Sequence, residues 1–507
     1  MKPTTNKRIV IFGLLLGILL SAMDNTIVST AMATIVSEIG GLDYFTWVTS
    51  AYMIASVAGM PLYGRLSDMY GRKRFFLAGL TLFMVGSVLC GLSQNVFQLS
   101  IFRAIQGLGG GAIIPIAFTI IFDIVPPQER GKMSGLFGAV FGLSSVLGPF
   151  FGAYLTDFLN WRWVFYINIP LGLVSLFILL KYYKESSEHS KHAVDWSGAI
   201  LLFLSVSTLM FALELGGRAF PWISVPMLGL AILFISSVVL LIRVEKIAAA
   251  PILSLDLFKN RLFSASQIVC FLYGAVFILP ITFIPLFMQG VHASTATGAG
   301  MVLSPMMIGT VIGSQIGGQV ATKVPYRNVM LVSCVIYLVG IFLTGSISPE
   351  TSSLTIALFM LLSGIGMGVC FSVLNMASIH GIPYHQRGQA TSSAVFFRSM
   401  GMTIGIALFG ALQNALMRSG IANAFVGAAQ QPDIKLLLDV SARGSLPSQT
   451  LTTMTGILAH SVTGMFHWAL PVLLVSFVLI FRMGTAGISD LFQTAPSKTE
   501  EVHEHVG

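Results

Sequence analysis

Charge is what this sequence has least of. Asp, Glu, Lys and Arg make up 9% of its 507 residues, against about a quarter in a soluble domain. The deficit runs along the whole chain and excludes a water-soluble globular protein. Cysteine is scarce too. Cys90, Cys270, Cys334 and Cys370 all lie in apolar runs without metal-ligand spacing, which leaves them as small core residues and excludes a disulfide framework or a cysteine metal centre. HExxH, CxxC, a Walker-type phosphate loop and a Ser/His/Asp set are missing, and the histidines fall mostly in loops. A membrane enzyme and direct use of ATP therefore lack their chemistry, and no cofactor is expected. A sensor would need a sizeable polar output domain, and none is present. The first apolar run has no convincing small-residue cleavage site and reads as a retained span, not a signal peptide. The net charge of +8 comes without a basic stripe interleaved with aromatics, so it points to membrane-flanking loops and not to nucleic acid.

What is present is hydrophobicity, at 55% of residues. A helix needs about 20 apolar residues to cross a bilayer. Fourteen windows qualify, at 9–30, 46–64, 75–93, 98–121, 132–156, 161–181, 196–216, 224–243, 263–288, 297–320, 328–346, 354–377, 389–412 and 464–483. An even number puts both termini on one side. With that side inside, inner loops hold 21 of the 28 Lys and Arg and outer loops hold 5, the other two (Arg103 and Arg398) lying within spans. The positive-inside rule then makes both termini cytoplasmic.

The chain also repeats itself. "QGLGGGA" (106–112) is similar to "SGIGMGV" (363–369), and "QERGKMSG" (128–135) to "HQRGQATS" (385–392). Gly107 and Gly364 are 257 positions apart, and so are Arg130 and Arg387. One offset for both matches predicts two homologous six-helix halves, 1–185 and 261–483, separated by two inserted helices in 186–260. This is the plan of the major facilitator transporters. Residues 413–463 are expected to form an exposed outer loop with short helices, or a lid over the outer vestibule. Residues 484–507 are expected to be a polar cytoplasmic tail.

Several motifs carry chemistry. "GRLSDMYGRKR" (64–74) joins spans 2 and 3. Gly64 and Gly71 allow a tight turn, and Asp68 can bind a helix N-terminus or an arginine. An ordinary basic loop is the plain alternative. The pattern resembles the inner loop of the major facilitator superfamily, and that resemblance implies a conformational latch of Asp68 and Arg72 with Asp123 as its third member. The second half keeps Lys323 and Arg327 there but no acid, and the repeat places His380 opposite Asp123, so the latch should be asymmetric. "GLSSVLGPFFG" (142–152) breaks span 5 at Gly148-Pro149 and extends a small face to Gly152. It resembles the antiporter motif of facilitators and implies exchange for another ion. "WRWVFYINIPLG" (161–172), "MDNTIV" and "ALELGG" (212–217) resemble the fourteen-span drug:proton antiporter branch that includes EmrB and QacA, and most closely the multidrug efflux transporters of Bacillus-type bacteria. Trp161, Trp163 and Tyr166 also suit an aromatic belt at the outer interface.

One carboxylate stands out. Asp24 lies about 22 Å up span 1 if that span starts near Ile9, and Arg103 lies at a similar height in span 4. Burial disfavours an ionised carboxylate and a cation favours it. Asp24 is therefore the expected proton carrier and Arg103 the group that tunes it, coupling following if their separation differs between two states. A static salt bridge is the alternative. Arg103, Gln106, Gly107 and Gly110 share one helix face, and an arginine inside a bilayer is a functional candidate. Gln106, Glu214, Asn375 and Arg398 are candidates for the substrate pathway, and Gln267, Gln289 and Gln315 could add polar contacts. The 24 methionines and 37 phenylalanines suit a pocket that tolerates many shapes. QacA-like members of the branch it resembles place additional acids in later spans, whereas "LSPMMIG" (303–309) carries none, which weighs against broad recognition of divalent cationic drugs.

The expected protein is thus an all-α major facilitator with 14 transmembrane helices. The resemblance implies a monomer in the bacterial plasma membrane that exports hydrophobic or cationic drugs in exchange for protons. The alternative is an antiporter dedicated to one physiological solute or to a metal–tetracycline complex.

Overall fold

The computed structural model describes residues 6–40, 46–126, 129–185, 195–217, 220–248, 251–252, 254–425 and 447–487. Among them the only β pairing is a bridge between Gly216 and Phe220. The helices are α1 (Lys7–Ile39), α2 (Thr46–Tyr70), α3 (Arg72–Leu92), α4 (Val96–Ile124), α5 (Arg130–Phe158), the short α6 (Trp163–Tyr166) leading into α7 (Asn168–Tyr182), α8 (Trp196–Leu215), α9 (Val225–Ile247), α10 (Arg261–Gly290), α11 (Ala296–Val320), α12 (Tyr326–Gly345), α13 (Ser353–Ser378), α14 (Arg387–Ala424) and α15 (Ser448–Ile480). Among the described residues thirteen stretches are long and apolar enough to cross a membrane, with α6 and α7 together forming one of them. The remaining window is α2. Its 25 residues reach about 37 Å, and its polar Arg65 and Asp68 are buried against protein.

Local signals place the helix ends. Asn95 Oδ1 accepts from the Gln98 backbone N–H at 2.9 Å and caps α4, a contact worth about 1 kcal/mol. Gly71, at φ 109°, takes the left-handed turn between α2 and α3 that glycine permits most readily. The apolar windows match the helices closely except at the last two. There α14 continues to Ala424 and α15 begins at Ser448. The described ends of the stretch expected to be an exposed loop with short helices, 413–424 and 448–463, instead extend the two flanking spans, because their Ala, Gln and Leu residues continue the helix beyond the strictly apolar part. Residues 426–446 and the tail from 488 lie outside the described residues.

Each half packs around one glycine-rich helix. A methyl group at Gly107 or Gly111 of α4 would press on the α2 backbone at Tyr52 or Ser56, and one at Gly109 on α3 at Phe83. In the second half Gly364 and Gly368 of α13 meet α11 at Met306 and Thr310, and Gly366 meets α12 at Tyr337. The 257-residue repeat is therefore also a repeat of close helix approaches, as small residues allow. Inserted helices α8 and α9 pack on each other, and α8 lies on α2. Leu228, Ile232 and Ile235 of α9 remain exposed, as suits a lipid-facing surface. The halves meet through α2 with α14 and α5 with α11.

Candidate functional site

Asp24 and Arg103 are both fully buried. Arg103 Nη1 donates to Asp24 Oδ2 at 2.5 Å and to Gln106 Oε1 at 2.7 Å. Gln106 Nε2 donates to Asp24 Oδ1 at 2.7 Å and to Ser87 Oγ at 2.8 Å. Asn168, on α7, donates to the same Asp24 oxygen at 3.1 Å. The guanidinium also reaches the Val48 carbonyl at 3.2 Å and lies 4.2 Å from the centre of the Tyr52 ring. Five helices thus converge on one ion pair, which is how a charge survives in an apolar interior. Satisfaction is incomplete: Arg103 Nη2 and Asn168 Oδ1 are buried without a hydrogen-bond partner. The sequence reading places Asp24 and Arg103 together, and the structure joins them. Gln106, expected along the substrate pathway, belongs to this network and has no exposed face. Ser87, Tyr52 and Asn168 were missed. Asn168 follows the aromatic run 161–166, whose belt-like look masked the amide two residues beyond it.

The Gly-Pro kink bears on the same carboxylate. Gly148 and Gly152 lie against α1 just beyond Asp24. A methyl group at Gly148 would overlap Thr26 Oγ1, and one at Gly152 would overlap Thr30 Oγ1 and crowd the Ile27 carbonyl at 2.8 Å. Thr26 Oγ1 donates to Met23 O at 2.8 Å. The small face of α5 therefore fixes how closely α1 approaches. Pro149 lies on the exposed side of the helix.

Asp68, Arg72 and Asp123 meet as one cluster at the end of the bundle where α2 turns into α3. Asp68 Oδ1 accepts from Arg72 Nη2 at 3.0 Å, and Arg72 Nη1 is paired with Asp123. The cluster extends into the other half. Asp68 Oδ1 and Oδ2 accept from the backbone N–H of Gly388 and Gln389 at 2.9 and 2.8 Å. These are among the first residues of α14, where a helix favours negative charge. Arg387 Nη1 reaches Asp123 Oδ1 at 3.2 Å, and Arg72 donates to the Tyr384 carbonyl at 2.7 Å. Gly64 makes room: a methyl there would overlap Ser392 Oγ and crowd the Gly388 carbonyl at 2.8 Å. At the corresponding place in the second half His380 meets the Tyr326 hydroxyl at 3.3 Å, where the first half sets Asp123 on Arg72. That is the asymmetry expected. Along the other seam between the halves Gly131 meets Gly318 backbone to backbone, and Gly135 meets Gln315.

Residues 14–406 match the Major Facilitator Superfamily. The chain is 50% identical over 501 residues to Multidrug resistance protein 3 of Bacillus subtilis, covering 96% of this chain and 98% of that one. The chain belongs to the major facilitator superfamily. It is also 38% identical over 416 residues to Multidrug transporter protein MdtP of Bacillus subtilis, covering 82% of this chain and 76% of that one. Its fold matches a bacterial homologue of the human lysosomal transporter Spinster with a TM-score of 0.58 at 15% identity, over 95% of this chain and 97% of the other. At that identity the likeness shows the fold alone.

Within this facilitator the other pathway candidates scatter. Arg398 lies on α14, nine-tenths buried, with its guanidinium carbon 4.4 Å from the centre of the Phe371 ring. Asn375 is buried one turn from Phe371 and donates to its carbonyl at 2.8 Å. Glu214 is half-buried at the end of α8. Trp161 departs from the expected aromatic belt. It is fully buried and donates from Nε1 to Glu38 Oε2 at 2.8 Å, while Trp163 is 49% exposed. A lone indole N–H needs a partner once buried, and Glu38 at the end of α1 supplies one.

Proposed function

We propose that this protein exports drugs across the bacterial plasma membrane in exchange for protons, with Asp24 as the proton carrier. The observation that carries the reading is the network around Asp24: one buried carboxylate held by Arg103, Gln106 and Asn168. The names of the two Bacillus relatives, both multidrug proteins, support export of drugs. Protonating Asp24 removes the counter-charge of Arg103 and turns one carboxyl oxygen into a donor. Asn168 Oδ1, without a partner, is the natural acceptor once its amide rotates. Substrate movement and proton movement are then linked if the two states of Asp24 favour different arrangements of α1, α4 and α7.

The small face of α5 gives that rearrangement a route. Gly148 and Gly152 lie on α1 next to Asp24, whereas Gly131, Gly135 and Gly138 of the same helix lie on α11 of the other half. A shift of α1 is thereby felt where the halves touch. In this reading the two six-helix halves rock about the cluster of Asp68, Arg72 and Asp123. The N-terminus and that cluster face the cytoplasm, in keeping with the positive-inside rule. The close contacts between halves fall at the cluster end, so the arrangement described is closed on the cytoplasmic side.

The test is substrate-triggered proton release in everted vesicles, comparing the unmodified protein with Asp24→Asn at matched expression. Ethidium or tetraphenylphosphonium should collapse a preformed pH gradient only with the unmodified protein. If neither protein responds to a panel of drugs while both are folded, drug exchange is the wrong function.

A further inference from the structure

Arg398 is a buried cation that no anion among the described residues pairs with. Among the described residues its guanidinium makes no hydrogen bond or ion pair, whereas Asp24, Asp68 and Asp123 are each tied to an arginine. A buried unpaired guanidinium is costly, and a bound anion would offset that cost. Its surroundings fit an aromatic anion. The guanidinium lies over Phe371. Phe371 stacks on Phe141 of the other half at 6.1 Å and an interplanar angle of 27°, and meets Phe277 edge-on at 5.7 Å. Phe141 and Phe371 are both only partly buried, so the seam between the halves stays accessible there. Two polar groups of the same half are unspent: Asn375 Oδ1 and both amide atoms of Gln267 are buried without partners. Gln267 stands two turns before Gly274 on one face of α10, and Gly274 is pressed against the Arg398 carbonyl.

We propose that Arg398, Phe371 and Phe141 form a subsite for the carboxylate of a planar aromatic acid. This rests on the reading of the protein as a drug exporter and names a substrate class for it. The guanidinium forks onto the carboxylate while the ring stacks on the partly buried Phe141 and Phe371, which part to admit it, so the ligand touches both halves at once. A monovalent aromatic cation gains the stacking but is repelled by Arg398.

The experiment uses purified protein in nanodiscs and three radiolabelled probes of one shape: 2-naphthoate, the neutral 2-naphthamide and the cation 2-naphthylmethylammonium. Naphthoate should bind the unmodified protein more tightly than the other two. Arg398→Gln should weaken naphthoate by about ten- to hundredfold, the size of a lost charge-assisted hydrogen bond, and leave naphthamide unchanged. Arg398→Lys, which keeps the charge but not the fork, should fall between. Equal binding of all three probes, or naphthoate binding indifferent to both variants, overturns the proposal. So does a naphthoate affinity that drops in phosphatidylglycerol nanodiscs as much as in Arg398→Gln, since the guanidinium would then serve a lipid phosphate. If Arg398→Gln does not fold, the comparison of probes on the unmodified protein and on Arg398→Lys still decides. Ethidium-driven proton release from the same preparations tests the exporter reading separately. Its loss with Arg398-dependent naphthoate binding intact removes export and keeps the subsite.

Discussion

The Asp24–Arg103 pair can be separated into a structural part and a coupling part. Asp24→Asn preserves shape but leaves Arg103 as a buried cation whose nearest counter-charge is gone. Removing one member of a buried pair costs about 3–5 kcal/mol, and Arg103→Gln should cost a similar amount by stranding the carboxylate. The amide that replaces the Asp24 carboxylate would still accept from one of the three donors that now converge there, so about two hydrogen bonds of roughly 1 kcal/mol each are disturbed as well. The double variant Asp24→Asn/Arg103→Gln strands no charge. The glutamine introduced at position 103 can still reach toward Gln106 and the Val48 carbonyl, so the double should melt close to the unmodified protein although both singles melt well below it. Scanning fluorimetry in detergent reads that cycle. Reconstitution into proteoliposomes then asks whether added drug collapses a pH gradient. The double variant should be folded and silent. If it is folded and still releases protons on drug addition, proton coupling lies elsewhere. If Asp24→Asn alone melts like the unmodified protein, the energetic argument for a mutually dependent buried pair fails.

Three other outcomes follow from close contacts. Gly148→Ala should slow transport by driving α5 off Thr26 of α1, and Thr26→Ala in the same chain should restore much of the rate; vesicle uptake at matched expression reads both. Asp68→Asn weakens the charged cap on α14, worth about 1–2 kcal/mol, so the population open at that end should rise about tenfold, read as a longer distance between spin labels placed near Tyr70 and Tyr384. Trp161→Phe loses the hydrogen bond to Glu38 and should lower stability by about 1 kcal/mol while leaving the transport rate unchanged.

Much of the fold was legible because a bilayer imposes a simple rule. Backbone polar groups must be satisfied within each span, so apolar length alone located the helices, and a shared offset of 257 positions exposed the halves. Legibility failed where polar residues extend a helix beyond the apolar window, as in α14 and α15. The site was legible in its charges, since Asp24, Arg103, Asp68 and Asp123 are rare at such positions. It was not legible in its neutral partners. Ser87 and Asn168 look like any small polar residue in a span until tertiary packing turns them toward one carboxylate. The reach of Asp68 to α14 was foreshadowed by the affinity of a carboxylate for a helix N-terminus, but only the packing of α2 on α14 says which helix it is.

The repeat sharpens what each half contributes. Under the 257-residue offset Arg103 corresponds to Met360 and Gln106 to Ser363, all four fully buried. The helices are equivalent and their glycine contacts correspond, but the second half has no charge at the place where the first half holds its ion pair. Its own buried cation, Arg398, lies instead on the helix whose first residues Asp68 caps. Under the two proposals made above, jobs that would conflict at one site are thereby kept apart. On that reading the carboxylate that gains and loses a proton has its arginine close by, and the arginine proposed to accept a ligand anion has no carboxylate paired with it among the described residues. In the proposed scheme the two are coupled mechanically, through helices that touch, and not by direct attraction. Placing an acid beside Arg398, for example Asn375→Asp one helical turn from Phe371, should therefore abolish naphthoate binding yet leave ethidium-driven proton release in place. Loss of both together would mean that the two charges act as a single site.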